Sequence, residues 1–251
     1  MIDALPLGLT WAELLLVLAA AFSTSILHTV SGFAGGIVLG ILVAPIVGVE
    51  AIVPLMSVVL LISATSRLWA FRRAVNWRIY RQVMVTGLPC IAIGAVIYGY
   101  LPGRAISGLL GLFLIVTVLA RRSLERRKIE VGPAGFMSMG VVFGLLSGST
   151  IGAGMVLIPL YLGAGLMGES LVAMIASVGF TMNVTKTLVF ASSTILDWET
   201  LLLGVLIGIC TIPGTYSGYW IVRKTPVRVH TMFVEALVVL GGGYFIYLAF
   251  G

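Results

Sequence analysis

The chain has 251 residues, 60% of them hydrophobic and 10% charged, with a mean hydropathy of +1.16. These values exclude a soluble domain and leave no stretch long enough for a separate one. The formal net charge of +6 would suggest nucleic acid in a soluble chain, but here the basic residues sit at the ends of apolar runs, where they report orientation. The apolar runs are continuous rather than alternating, so the chain reads as all-α and polytopic, not as a β-barrel.

In chain order, the N-terminus lacks the positive flank of a secretory signal, and the first apolar run is expected to be retained as a membrane helix. Segment a spans about 11–48 and is interrupted by Ser31-Gly32-Phe33-Ala34-Gly35-Gly36, with His28 just before the break and Pro45 after it. Segment b (51–71) carries Arg67, with Ser63 one turn earlier. Segment c (80–100) follows a basic turn with Arg72, Arg73, Arg78 and Arg81, and Asn76-Trp77 reads there as an N-cap and an interface anchor. Segment d covers 104–120. A linker at 121–131 then brings Arg121, Arg122, Arg126, Arg127 and Lys128.

The same order then recurs. Segment a of the second half (133–166) is interrupted by Ser147-Gly148-Ser149-Thr150-Ile151-Gly152-Ala153-Gly154 and followed by Pro159. Segment b (170–191) carries Asn183 and Lys186, segment c (201–222) begins after Asp197-Trp198, and segment d (229–250) contains Glu235. Offsets between the copies are 116 for the Ser-Gly pairs, 114 for Pro45 and Pro159, 119 for Arg67 and Lys186, and 121 for the two tryptophans. A unit repeated with such small drift divides the chain into a first transmembrane repeat (1–120), a basic cytoplasmic linker (121–131) and a second repeat (132–251).

Charge assigns the repeats opposite orientations. The turn between segments b and c is basic in the first half and acidic in the second (Asp197, Glu199), whereas the next turn of the second half carries Arg223, Lys224 and Arg228. The expectation is about eight hydrophobic helical segments in two inverted-topology repeats, with broken or re-entrant first segments. Broken backbone inside a membrane is tolerated only where protein buries it or it lines a cavity. Glycines that merely allow close helix packing are the structural alternative.

A cation in a spanning helix costs roughly 2.5–3.5 kcal/mol on insertion scales and so faces an interior or a partner. Arg67 and Lys186, with Ser31, Gly32, Gly36, Ser147, Gly148, Ser149, Thr150, Gly152 and Asn183, are the candidate substrate-binding residues. Two cations with half-helix N-termini suit a small oxyanion. Arg67 could instead snorkel toward Arg72. His28 and Glu235 are candidates for proton coupling, each with a packing or pairing alternative. Glu50 and Glu169 read as turn residues, and Cys90 and Cys210 as small apolar side chains without metal-ligand spacing. No phosphate-binding loop, zinc motif or carboxylate cluster is present, so the sequence calls for no cofactor, no metal and no enzyme activity.

The ordered duplicate resembles the sulfite exporter TauE/SafE family of prokaryotic membrane proteins. The resemblance rests on the two Ser-Gly-x-x-x-Gly breaks with Pro45 and Pro159, on Arg67 and Lys186, on the Trp77 and Trp198 turns, and on the paired Pro and Gly of segment c. It implies a permease of the inner (plasma) membrane that exports sulfite, a sulfonate or a related sulfur-containing anion by alternating access. The implied partners are a small anionic substrate and the lipid bilayer, not nucleic acid, with a homodimer left open. A passive anion channel and a non-transporting membrane assembly protein are the alternative functions. The two breaks differ in composition, and Phe33 could gate or select an organic tail.

Overall fold

The computed structural model describes residues 8–31, 34–125, 132–222 and 227–250. Ten α-helices make up the described fold, which contains no strand: α1 (Trp11–Ser31), α2 (Ala34–Val47), α3 (Val49–Phe71), α4 (Trp77–Gly99), α5 (Gly103–Glu125), α6 (Pro133–Ser149), α7 (Ile158–Gly163), α8 (Glu169–Ser192), α9 (Trp198–Val222) and α10 (Val227–Phe250). Short 3-10 turns occupy Arg72–Ala74 and Ala153–Leu157. Among the described residues, five spans are long and apolar enough to cross a membrane: Trp11–Thr29, Val49–Ala74, Trp77–Gly99, Glu169–Ser192 and Trp198–Gly218. Four apolar helical stretches, Gly35–Val47, Gly103–Val116, Pro133–Ser149 and Val239–Phe250, are shorter.

Local chemistry sets the helix starts. Asn76 caps α4 by accepting from the Ile79 N–H (3.2 Å), and Asp197 caps α9 by accepting from the Thr200 N–H (2.8 Å). Trp77 and Trp198 are exposed directly after these caps, as expected of interface anchors. Gly48 (φ 84°) and Gly168 (φ 54°) turn the chain into α3 and α8 in a left-handed conformation that favours glycine, and Glu50 and Glu169 follow in the first turns.

The helix pairs run in consistent directions. Ser57 meets Thr187 (3.1 Å) and Ala64 faces Gly179, so α3 and α8 are antiparallel. Gly108 faces Ala249 and Gly111 faces Gly242 and Ile246, so α5 and α10 are also antiparallel. In contrast, α4 runs parallel to α6, Gly87 lying on Gly140 and Gly94 on Leu145 and Gly148. Helices α1 and α9 are parallel too, with Gly214 against Phe22 and Ser25 and Gly218 against Ile26 and Thr29.

The α4–α6 contact is backbone on backbone. A Cβ at Gly140, Gly144 or Gly148 would collide with the Val83, Gly87 or Ile91 carbonyl respectively. Lipid is as apolar as leucine, so close approach through small residues supplies the attraction that hydrophobic burial supplies in water. Thr86 adds a hydrogen bond from its hydroxyl to the Met137 carbonyl (2.6 Å).

Gly148→Leu is therefore expected to lower thermal stability in detergent by about 1–3 kcal/mol, the usual cost of overpacking. Gly243→Ala, where an added Cβ meets nothing within 4 Å, should be neutral or slightly stabilising. Asp197→Ala should cost about 0.5–2 kcal/mol through the lost cap. The Thr200 hydroxyl and N–H bonds hold the Asp197 carboxyl below its ordinary range. Its capping contribution is thus fully present above the ordinary carboxylate pKa and lost as pH falls through the lowered folded value. Acid titration of wild type against Asp197→Asn, whose amide oxygen cannot protonate there, would isolate that contribution.

Candidate functional site

Helix α6 ends at Ser149 in the interior of the protein. Thr150, fully buried, is extended, and Gly152 turns the chain at φ 85° into the 3-10 turn before α7. The end of a helix leaves carbonyls without intrahelical partners, and here one of them is answered. The Lys186 ammonium, on a side chain only 1% exposed, donates to the Thr150 carbonyl (2.9 Å). A cation at a helix C-terminus also matches the negative end of the helix dipole. Ile37 of α2 lies over Gly152, where a Cβ would strike it, so α2 packs on the break after α6.

In the first half of the chain, α2 returns against α1. Gly35 sits against the Thr24 carbonyl and the His28 side chain, and the Gly36 N–H donates to His28 Nδ1 (2.9 Å). With Nδ1 engaged as an acceptor, the proton of the neutral ring resides on Nε2.

Between these breaks lies a cavity of about 50 Å³. Its wall draws His28 from α1, Gly36 from α2, and Leu60, Ala64 and Arg67 from α3. The second half contributes Phe143, then Ile151, Gly152, Gly154 and Leu157 from the break, Tyr161 from α7, and Ile175, Val178, Gly179, Met182 and Asn183 from α8. A water needs about 10–15 Å³ on this scale, so the space holds roughly three to five waters or one small oxyanion. A smaller cavity of about 10 Å³ lies on the far side of His28, toward Thr24, Ser25, Ser63 and Thr211.

Arg67 is the cation on the wall of the larger cavity. It is 8% exposed, its Nε donates to the Ser63 carbonyl one turn back (3.3 Å), and among the described residues it has no carboxylate partner. Nε accounts for one of the five guanidinium donors, and the planar fork of the other four is geometrically matched to an oxyanion. Asn183 is 2% exposed, and its Nδ2 donates to the Gly179 carbonyl (2.7 Å) while its amide oxygen has no partner. The hydroxyl of fully buried Tyr161 has none either.

Of the residues expected from the sequence, His28, Gly36, Arg67, Gly152 and Asn183 share this cavity. Lys186 is not on its wall, being turned to Thr150. The hydroxyls of Ser147, Ser149 and Thr150 bond to carbonyls of their own helix and are also off the wall, and Gly148 is packed on α4. Gly32 lies outside the described residues, as do the side chains of Ser31 and Glu235 and the end of the linker. Sequence reasoning passed over Tyr161. Its one signal is that of a polar side chain two residues after Pro159 in an otherwise apolar turn.

No curated protein and no solved structure matches the chain. A family model described as Sulfite exporter TauE/SafE matches residues 17–245, which takes in both breaks, Arg67, Lys186 and every wall of the cavity. The chain belongs to the sulfite exporter TauE/SafE family and is an integral membrane protein of a transport family.

Proposed function

We propose that this protein is a multi-pass permease of the inner (plasma) membrane that exports a small sulfur-containing anion, sulfite before any larger sulfonate, by alternating access. The observation that carries this reading is a buried guanidinium, unpaired by any carboxylate among the described residues, on the wall of a cavity sized for one small oxyanion. An ionisable side chain inside a membrane protein is costly and persists where function uses it. The family description supplies the substrate class and the direction.

The packing supports an inverted-repeat reading. A twofold axis in the membrane plane makes equivalent helices antiparallel to each other, as α3 is to α8 and α5 to α10. It also turns the α1–α9 contact into the α6–α4 contact, both parallel. The equivalence extends to residues: Gly94 lies on Leu145 and Gly218 on Thr29, Gly218 lying 124 residues after Gly94 and Leu145 lying 116 after Thr29, the offset of the Ser-Gly pairs. The exposed Arg72, Arg73, Arg78 and Arg81 support a cytoplasmic position for the α3–α4 turn.

In this mechanism the Arg67 fork and the Nε2–H of His28 hold the anion, and the apolar walls exclude water. Rocking of one repeat against the other exposes the cavity to each side in turn, driven by protons or the membrane potential, with His28 the coupling candidate on the wall. Lys186 serves the anion indirectly, by fixing the end of α6 that closes one side of the cavity.

Purified protein with sulfite at 100 times its dissociation constant should gain about 2.7 kcal/mol of stability. Arg67→Met should lose that gain while its ligand-free stability stays equal or rises, because an unpaired buried charge has been removed. Lys186→Met should instead lower ligand-free stability by about 1–3 kcal/mol, by leaving the Thr150 carbonyl unsatisfied. Proteoliposomes should show saturable sulfite efflux that Arg67→Met abolishes. Full efflux in Arg67→Met would refute the site, and a current linear in voltage without saturation would favour a channel.

A further inference from the structure

We infer that the species bound in the cavity is a monoanion that carries its own proton, hydrogen sulfite in its hydroxyl form, and that Asn183 selects it. The inference rests on the transport reading above and concerns the same cavity. Asn183 is on the wall of that cavity, and its amide oxygen is buried and has no hydrogen-bond partner. The orientation of the amide is fixed, because Nδ2 is committed to the Gly179 carbonyl at 2.7 Å and the flipped amide would set oxygen against oxygen. An unsatisfied buried acceptor is unfavourable until a donor arrives.

The other polar groups on the wall can donate: the Arg67 fork, His28 Nε2–H and the Tyr161 hydroxyl, which also lacks a partner. A fully deprotonated oxyanion satisfies these donors but sets an oxygen lone pair against Asn183 Oδ1. A ligand with one O–H and several acceptor oxygens satisfies all of them. Charge points the same way. Among the described residues Arg67 is the one lysine or arginine on the cavity wall, Lys186 being held by Thr150, so a monoanion is neutralised and a dianion is not. The cost of removing an ion from water rises with the square of its charge, which penalises the dianion further.

The groups that could titrate around the ligand are His28 on α1, Arg67 on α3, Tyr161 on α7 and, behind them, Lys186 on α8 and Tyr80 on α4, whose hydroxyl is 2.6 Å from that of Thr181. The test must therefore separate titration of the ligand from titration of the protein. Sulfite takes up its proton near neutrality. Sulfate stays a dianion throughout and serves as the competitor without a proton.

Calorimetric titration of the purified full chain with sodium sulfite, across the pH range spanning that protonation, reads the apparent dissociation constant. It should rise about tenfold per pH unit on the alkaline side, as the competent fraction of ligand falls. The slope should persist in His28→Gln, and sulfate should fail to compete at any pH. Asn183→Leu should flatten the slope and admit sulfate. A pH-independent constant in wild type, a slope that disappears in His28→Gln, or sulfate competing as well as sulfite in wild type would each overturn the inference while leaving a sulfite site in place. Absence of sulfite binding at every pH would overturn the transport reading and this inference together.

Discussion

A helix that stops inside a membrane protein must have its last carbonyls answered by protein, because lipid offers no hydrogen bonds. The bond from the Lys186 ammonium to the Thr150 carbonyl meets that demand, and much of the interior depends on it. It lets α6 end at Ser149, which lets Gly152 turn the chain under Ile37 and brings the 3-10 turn and α7 to the cavity. The same bond keeps a buried cation without a carboxylate, since a helix C-terminus offers the partial negative charge that an acidic side chain would otherwise supply.

The glycine contacts complete the frame. Gly140, Gly144 and Gly148 seat α6 on the backbone of α4, so the broken helix is carried on an intact one. In the other half α1 rests on α9 in the same way, Gly214 lying on the Phe22 carbonyl and Ser25 and Gly218 on the Ile26 carbonyl and Thr29. The polar pocket beside His28 lies next to this contact, lined by Thr24, Ser25 and Thr211.

Much of this was legible in the sequence, for identifiable reasons. Offsets between landmark residues point to a duplication, and several residues at or beside those landmarks have local structural roles. Gly48 and Gly168 turn the chain, and Asn76 and Asp197 cap helices. The breaks were legible because runs of Gly, Ser and Thr amid apolar residues have few other uses at that depth. Less legible was what each polar group in a break faces. The hydroxyls of Ser147, Ser149 and Thr150 return to their own helix, as Ser and Thr commonly do, and only tertiary structure distinguishes that from a ligand contact. Tyr161 could not be placed because its importance lies in a partner it lacks, which no sequence pattern records.

The two cations that the sequence offsets pair have different surroundings, and the side chains suit them. A lysine ammonium is a compact point charge that one or two carbonyls can satisfy, which suits it to a helix end. An arginine committed at Nε retains a planar fork, which suits it to an anion that comes and goes. A transporter needs its site to hold the ligand loosely enough to release it, and two free cations facing one small anion would work against release. A symmetric frame with one cation turned inward to structure and one left facing the cavity meets both requirements. With Lys186 turned to Thr150 and Arg67 on the wall, the proposed site is left with a single facing charge.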